Sequence, residues 1–146
     1  MHEETGQHRI NERLNAYWDS LRGSRTMPNE RDISIEDLKD LWQYCFLISV
    51  KEGKFSYSYL GEQLVEAYGD DFTGKEIAET LLYPHPESLV KTFTEVAKSA
   101  APQIDESEFT NSRGATVKYR SCVLPLAGND EGSVAFLLGG MKWKAF

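Results

Sequence analysis

"YCFLISVKEGKFSYSYL", residues 44–60, decides the fold. Residues 44–50 form a continuous, partly β-branched apolar run, the pattern of a strand covered on both faces. "KEGK" supplies a turn. In residues 55–60, Phe55, Tyr57 and Tyr59 alternate with Ser56 and Ser58, the cleanest period-two signal in the chain. The two runs predict an antiparallel hairpin.

Outward from the hairpin, the C-terminal third returns to β patterning in "QIDESEFT", "ATVKYRSCVLPL" and "SVAFLLGGMKW". "NSRG" (111–114) and "GNDEG" (128–132) separate these runs and read as hairpin loops. Between the two β regions the period changes to that of short helices. Leu64, Val65 and Tyr68 share a face that ends at Gly69, and Thr73 with Glu76 predicts a capping box opening a helix in "GKEIAETLL". Pro84 and Pro86 break that segment. Residues 87–100 then place Leu89, Val90, Phe93, Val96, Ala97 and Ala100 on one face, the strongest helical signal present.

Before the hairpin, Ile10, Leu14, Tyr17, Trp18 and Leu21 fall on one face of an N-terminal amphipathic helix that stops at Gly23. Residues 1–8 read as a frayed, disordered tail. Ser34 offers an N-cap for a short helix bearing Ile35, Leu38 and Leu41. Consecutive hairpins at each end, with helices gathered between them, predict an α+β fold on an antiparallel sheet. The expected organisation is a tail over 1–8, a helix and joint over 9–32, and one domain over 33–146.

Composition narrows the function classes. The 146 residues suit a single core, and 40% hydrophobic with 12% aromatic content is ample to build it. Acidic residues outnumber basic ones 23 to 16, and a net charge of −7 repels polyanions, so nucleic-acid binding is not expected. "LRGSRTMPNERD" (21–32) carries Arg22, Arg25 and Arg31, but Glu30 and Asp32 reduce its charge to +1. It reads as a structural joint in which Arg22 and Arg25 tie helix to core. No apolar run approaches the ~20 residues of a bilayer span. Cys45 and Cys122 lie in apolar segments, as small buried hydrophobes do. Together these predict a cytoplasmic protein with no membrane contact.

Motifs for chemistry are weak. "GDDFTGKE" (69–76) departs from a phosphate-binding loop by placing Glu76 where a hydroxyl belongs and Asp70 and Asp71 where phosphates would sit. His85, the one histidine outside the tail, has no second ligand at a useful spacing, so no metal site is predicted. Acidic pairs such as Asp70/Asp71 and Glu106/Glu108 read as solvated faces. No nucleophile is paired with a base, and catalysis is not expected. Tyr57, Tyr59, Tyr68, Phe93, Phe109, Tyr119 and Phe136 are candidates to line an apolar pocket with polar handles, the alternative being that they fill the core.

"YWDSLRGSRTMPNERDI", "FSYSYLGEQLVEAYGDDFTGKEI" and "RSCVLPLAGNDEGSVAFLLGGMKW" together resemble the family of short bacterial PAS-like proteins, PAS_5, from about Leu14 to Trp143. The resemblance implies a five-stranded antiparallel sheet with short helices on one face, used for sensing or protein interaction. It supplies no catalytic residue. The chain lacks the Asn-Cys-Arg motif of flavin-binding relatives, and His85 is only loosely placed where haem-binding relatives keep a ligand, so neither flavin nor haem carries over and any cofactor stays unknown. The expectation is a stand-alone sensory or adaptor module in bacterial signalling. Its expected partners are a second copy of itself, an unidentified signalling protein, and a small-molecule ligand. Ile10, Leu14, Tyr17, Trp18 and Leu21 expose enough apolar surface for a dimer or partner interface. The chain ends at "KWKAF", directly after the last strand, so no output domain is expected and a signal must leave through a partner. The rival expectation is a small-molecule carrier or enzyme using a cavity between sheet and helices.

Overall fold

The structure, a computed structural model, describes residues 9–77, 87–130 and 132–146. Helix α1 spans Ile10–Arg22, α2 Glu62–Tyr68 and α3 Glu87–Ser99. The strands are β1 (Cys45–Lys51), β2 (Lys54–Leu60), β3 (Glu76–Ile77), β4 (Gln103–Thr110), β5 (Thr116–Ala127) and β6 (Val134–Ala145). They form one antiparallel sheet in the order β3-β2-β1-β6-β5-β4. Five strands match the predicted runs, and β3 adds a short sixth.

Strand β3 lies where a helix was expected. The Asp71 carboxylate accepts both the backbone N–H of Thr73 (3.0 Å) and its hydroxyl (2.6 Å), so Thr73 is not free to cap a helix. Gly74 N–H donates to the Tyr57 carbonyl and Tyr57 N–H to the Lys75 carbonyl, laying the chain against β2. The remainder of "GKEIAETLL", together with Pro84, His85 and Pro86, lies outside the described residues, as does the expected tail. Ser34 makes no side-chain cap either, and residues Ile35–Leu38 form a single tight 3₁₀ turn. Ala100, expected on the face of α3, instead ends that helix with φ 56.

The sheet is covered on both faces. Helices α2 and α3 close an inner core of Phe46, Ile48, Tyr57, Leu64, Tyr68, Phe93, Val96, Val123, Leu137 and Met141. Helix α1 and the turns after it close an outer core of Ile10, Leu14, Trp18, Leu38, Leu41, Cys45, Cys122, Leu124, Leu126 and Leu138. Alternation along each strand sorts residues between the two.

The centre of this arrangement is Gly139–Gly140 on β6, which lies between β1 and β5. Phe46 pairs with Gly139, and its ring lies over that residue so closely that a Cβ there would sit 2.0 Å from Phe46 Cζ. Gly140 turns to the outer face, where a Cβ would meet Leu14 at 3.0 Å and Ile10 at 3.1 Å. One glycine admits an aromatic ring, the next a helix.

Gly139→Ala must therefore push the Phe46 ring from its place. Overpacking of this kind costs about 2 kcal/mol. Denaturant unfolding should show that loss in Gly139→Ala, partial recovery in the double variant with Phe46→Leu, and a change within about 0.5 kcal/mol for Gly132→Ala on the surface. Equal effects of the two alanines would contradict the packing.

Candidate functional site

The inner core joins five of the seven aromatics predicted to line a pocket. Tyr68 lies 6.4 Å from Tyr57 and 5.3 Å from Phe109, Phe109 lies 5.9 Å from Tyr119, and Phe93 sits 5.7 Å from Phe46, all measured between ring centroids. These tilted contacts are the geometry that aromatic quadrupoles favour. The rings pack against one another within the inner core.

Tyr59 and Phe136 are not part of this group. Leu47 pairs with Tyr59 and Ile48 with Tyr57, so Ser58 is an extra residue in β2. That bulge reverses the phase of the strand, and Tyr59 points to the outer face. There it stacks on Trp42 at 4.4 Å and donates its hydroxyl to the Trp42 carbonyl at 2.9 Å. Phe136 precedes Leu137, which faces inward, and so belongs to the outer core by strict alternation.

Inside the aromatic group lies a carboxylate that sequence reasoning did not single out. Asp105 on β4 is buried, accepts the Tyr119 hydroxyl on one oxygen, and lies 3.4 Å from the Thr92 hydroxyl of α3 on the other. Its sequence neighbours Glu106 and Glu108 turn to solvent, and only the shared parity with Phe109 places Asp105 inside. Nearby, Asn111 donates to the Ala67 carbonyl at the end of α2. Burial raises the Tyr57 phenol well above its ordinary value, with Tyr68 adding to the effect. Tyr68 is pushed up to about 12, burial being the largest cause, opposed by the hydrogen bond from Tyr57 and reinforced by Asp105. These phenols stay neutral at ordinary pH.

The apolar stripe of α1 is spent within the chain. Ile10 and Leu14 are fully buried, Trp18 is 4% exposed, and its indole N–H donates to the Pro125 carbonyl at 2.7 Å. Tyr17 and Leu21 are half-buried, and the Tyr17 hydroxyl donates to Asp37 and accepts from Ser34 N–H. An interface through Ile10, Leu14 and Trp18 is corrected by this burial: the sheet already covers the surface that suggested it. Arg25 donates to the Leu21 and Arg22 carbonyls and pairs with Asp32 at 3.0 Å, linking the end of α1 to the turn at Glu30–Asp32. Arg22 keeps to the helix end, with Asp19 at 2.7 Å and its guanidinium 5.7 Å from the Trp18 ring.

Cys45 and Cys122 are buried free thiols on the outer face, and burial pushes Cys122 up to about 12. Thiolate chemistry is thereby disfavoured. Among the described residues no group of three His, Cys, Asp or Glu is placed to hold a metal, and no helix is long and apolar enough to cross a membrane.

A family model described as PAS domain, PAS_5, matches residues 6–142. No curated protein matches the chain. Solved structures resemble its fold at low identity. A light-oxygen-voltage domain studied with a flavin analogue gives a TM-score of 0.59 at 12% identity, covering 75% of this chain and 83% of that one. The LOV domain of a blue-light activated histidine kinase from Erythrobacter litoralis gives 0.55 at 9%, covering 70% and 95%. The N-terminal domain of a diguanylate cyclase with PAS/PAC sensor from Marinobacter aquaeolei gives 0.52 at 19%, covering 66% and 92%.

Two outcomes test the buried network. Tyr119→Phe removes a hydrogen bond to a buried carboxylate and should cost about 1.5–3 kcal/mol in denaturant unfolding; a change within error would contradict the role of Asp105. Tyr68 titrates near 10 when unfolded and about 12 when folded, so its stabilising contribution is full below pH 10 and is lost as pH rises toward 12. Between pH 8 and pH 11 the protein should lose more stability than Tyr68→Phe does, and equal losses would contradict the shift.

Proposed function

The chain belongs to the PAS_5 family of PAS domains, and from that premise we propose that it is a sensory or adaptor module in signalling, without catalysis of its own. The observation that carries this reading is the state of the inner core. Its aromatic rings interlock, and the carboxylate among them, Asp105, is engaged by Tyr119 and Thr92. A general acid or base must reach a proton on its substrate. Asp105 is instead positioned to hold α3 against β4 and β5.

Contact with a signalling partner, or with a second copy of the chain, then falls to the exposed outer face of β4, β5 and β6, beyond the edge of α1. Ile104 at 52% exposure and Phe146 at 65% lie there, apolar groups that a contact would cover. The light-oxygen-voltage and cyclase-linked domains of similar fold support a signalling role by analogy of architecture.

Native mass spectrometry and an absorption spectrum of the purified full chain test the proposal. The expected result is the mass of the polypeptide, alone or as an oligomer, with no visible absorption band. A stoichiometric small molecule that the purified chain releases chemically altered would contradict it in favour of an enzyme.

A further inference from the structure

Strand β4 ends the sheet, with β5 on one side and no strand of the described residues on the other. Two hydrogen bonds beside it fix which of its backbone groups face outward. Asn111 N–H donates to the Ala115 carbonyl, and Phe146 N–H to the Thr116 carbonyl. The first makes Asn111 and Ala115 a bonded pair, so by alternation Phe109, Ser107, Asp105 and Gln103 also bond to β5. The second turns Thr116 toward β6, in agreement with that phase. Ile104, Glu106, Glu108 and Thr110 therefore direct their N–H and C=O groups to the open edge. Among the described residues those groups have no partner.

Most devices that protect an edge are missing from β4. It holds no proline and no lysine, and its register with β5 runs through eight residue pairs without a bulge. Its charges are the exception, and they exclude one occupant while selecting another. Two copies joined along the length of β4 would set Glu106 or Glu108 against a glutamate of the other copy, a repulsive pairing. Glu106 is already held by Arg120 at 3.6 Å. Glu108 makes no ion pair among the described residues, and Lys118, opposite it on β5, lies 5.1 Å from the Phe146 ring. Ile104, at the other end of the edge, is 52% exposed.

We infer that β4 receives an extended segment of a partner protein as an added antiparallel strand, with a basic residue opposite Glu108 and an apolar residue opposite Ile104. Main-chain hydrogen bonds hold the segment, and the two side chains set its register. Antiparallel addition continues the pattern of the whole sheet and is the more stable pairing per residue. The added strand rests on the adaptor reading and deepens it by naming how the partner is held. A ligand-free chain that ignores such a segment defeats the added strand and leaves that reading standing.

NMR titration of the isotope-labelled full chain with the acetylated and amidated peptide Thr-Thr-Lys-Thr-Thr-Thr-Val tests the inference. In the free chain the amides of Ile104, Glu106, Glu108 and Thr110 should exchange faster than those of Asp105, Ser107 and Phe109. Saturating peptide should slow the outward set by at least about tenfold. A peptide methylated on the lysine amide nitrogen keeps the side chains and loses the bond to the Glu108 carbonyl, and one with Glu in place of Lys loses the charge match; both should bind at least about tenfold more weakly. Glu108→Pro, which removes an outward N–H and leaves the β5 ladder intact, should abolish binding. Should that variant fail to fold, Glu108→Lys should reverse the preference between the Lys and Glu peptides. Outward amides already protected in the free chain, non-saturable shifts, or equal binding of either control peptide would overturn the added strand.

Discussion

The fold depends on a steric constraint at the centre of its sheet. Strand β6 lies between β1 and β5 and must be covered on both sides, and Gly139 and Gly140 make that possible by presenting no side chain to either cover. On the inner face the Phe46 ring rests on Gly139 and reaches Phe93 of α3. On the outer face Gly140 lets Ile10 and Leu14 bring α1 down to the sheet between Cys45 and Cys122, its two cross-strand neighbours. The rest of α1 is fixed by that seat. Trp18, one turn beyond Leu14, is carried to Pro125, and Arg25 closes the helix end against Asp32.

Coverage of both faces assigns the surfaces their roles. Inside, the polar atoms that the core cannot avoid are gathered around Asp105, where Tyr119 and Thr92 offset its desolvation. That network joins α3 to β4 and β5. Outside, α1 covers only part of the sheet. The uncovered part, with Ile104 and Phe146, is the surface through which we propose that this member of the PAS family meets other molecules.

Much of this was legible in the sequence, and the failures have local causes. Five strands and α3 are readable because each carries an apolar run or a periodic apolar face bounded by turn residues. Tyr59 was misplaced because a one-residue bulge at Ser58 reverses parity, and nothing in "FSYSYL" marks it. Phe136 was misplaced because an apolar run such as "VAFLLGGM" carries no polar residue to show its phase. The capping signal at Thr73 and Glu76 lost to Asp71, whose carboxylate takes the Thr73 donors first. The stripe on α1 was read correctly as apolar, but the sequence pattern alone does not say whether a partner or the chain's own sheet covers it. Only the pairing of Gly140 with α1 resolves that, and it is a contact between residues more than a hundred positions apart. Asp105 was hidden among the carboxylates of "DESE", where its parity with Phe109 was the one available clue.

Helix α1, seated on Gly140, is on this view an integral layer of the domain, and everything said of the outer face rests on that. Amide hydrogen exchange along α1 measures it most directly, since amides in a layer of the core open with the whole domain while those of a peripheral helix open alone. The amides of Leu14 and Trp18 should exchange as slowly as those of Leu124 in β5 and Leu138 in β6. Exchange of α1 close to the rate of an unprotected chain, with β5 and β6 still protected, would contradict the integral layer.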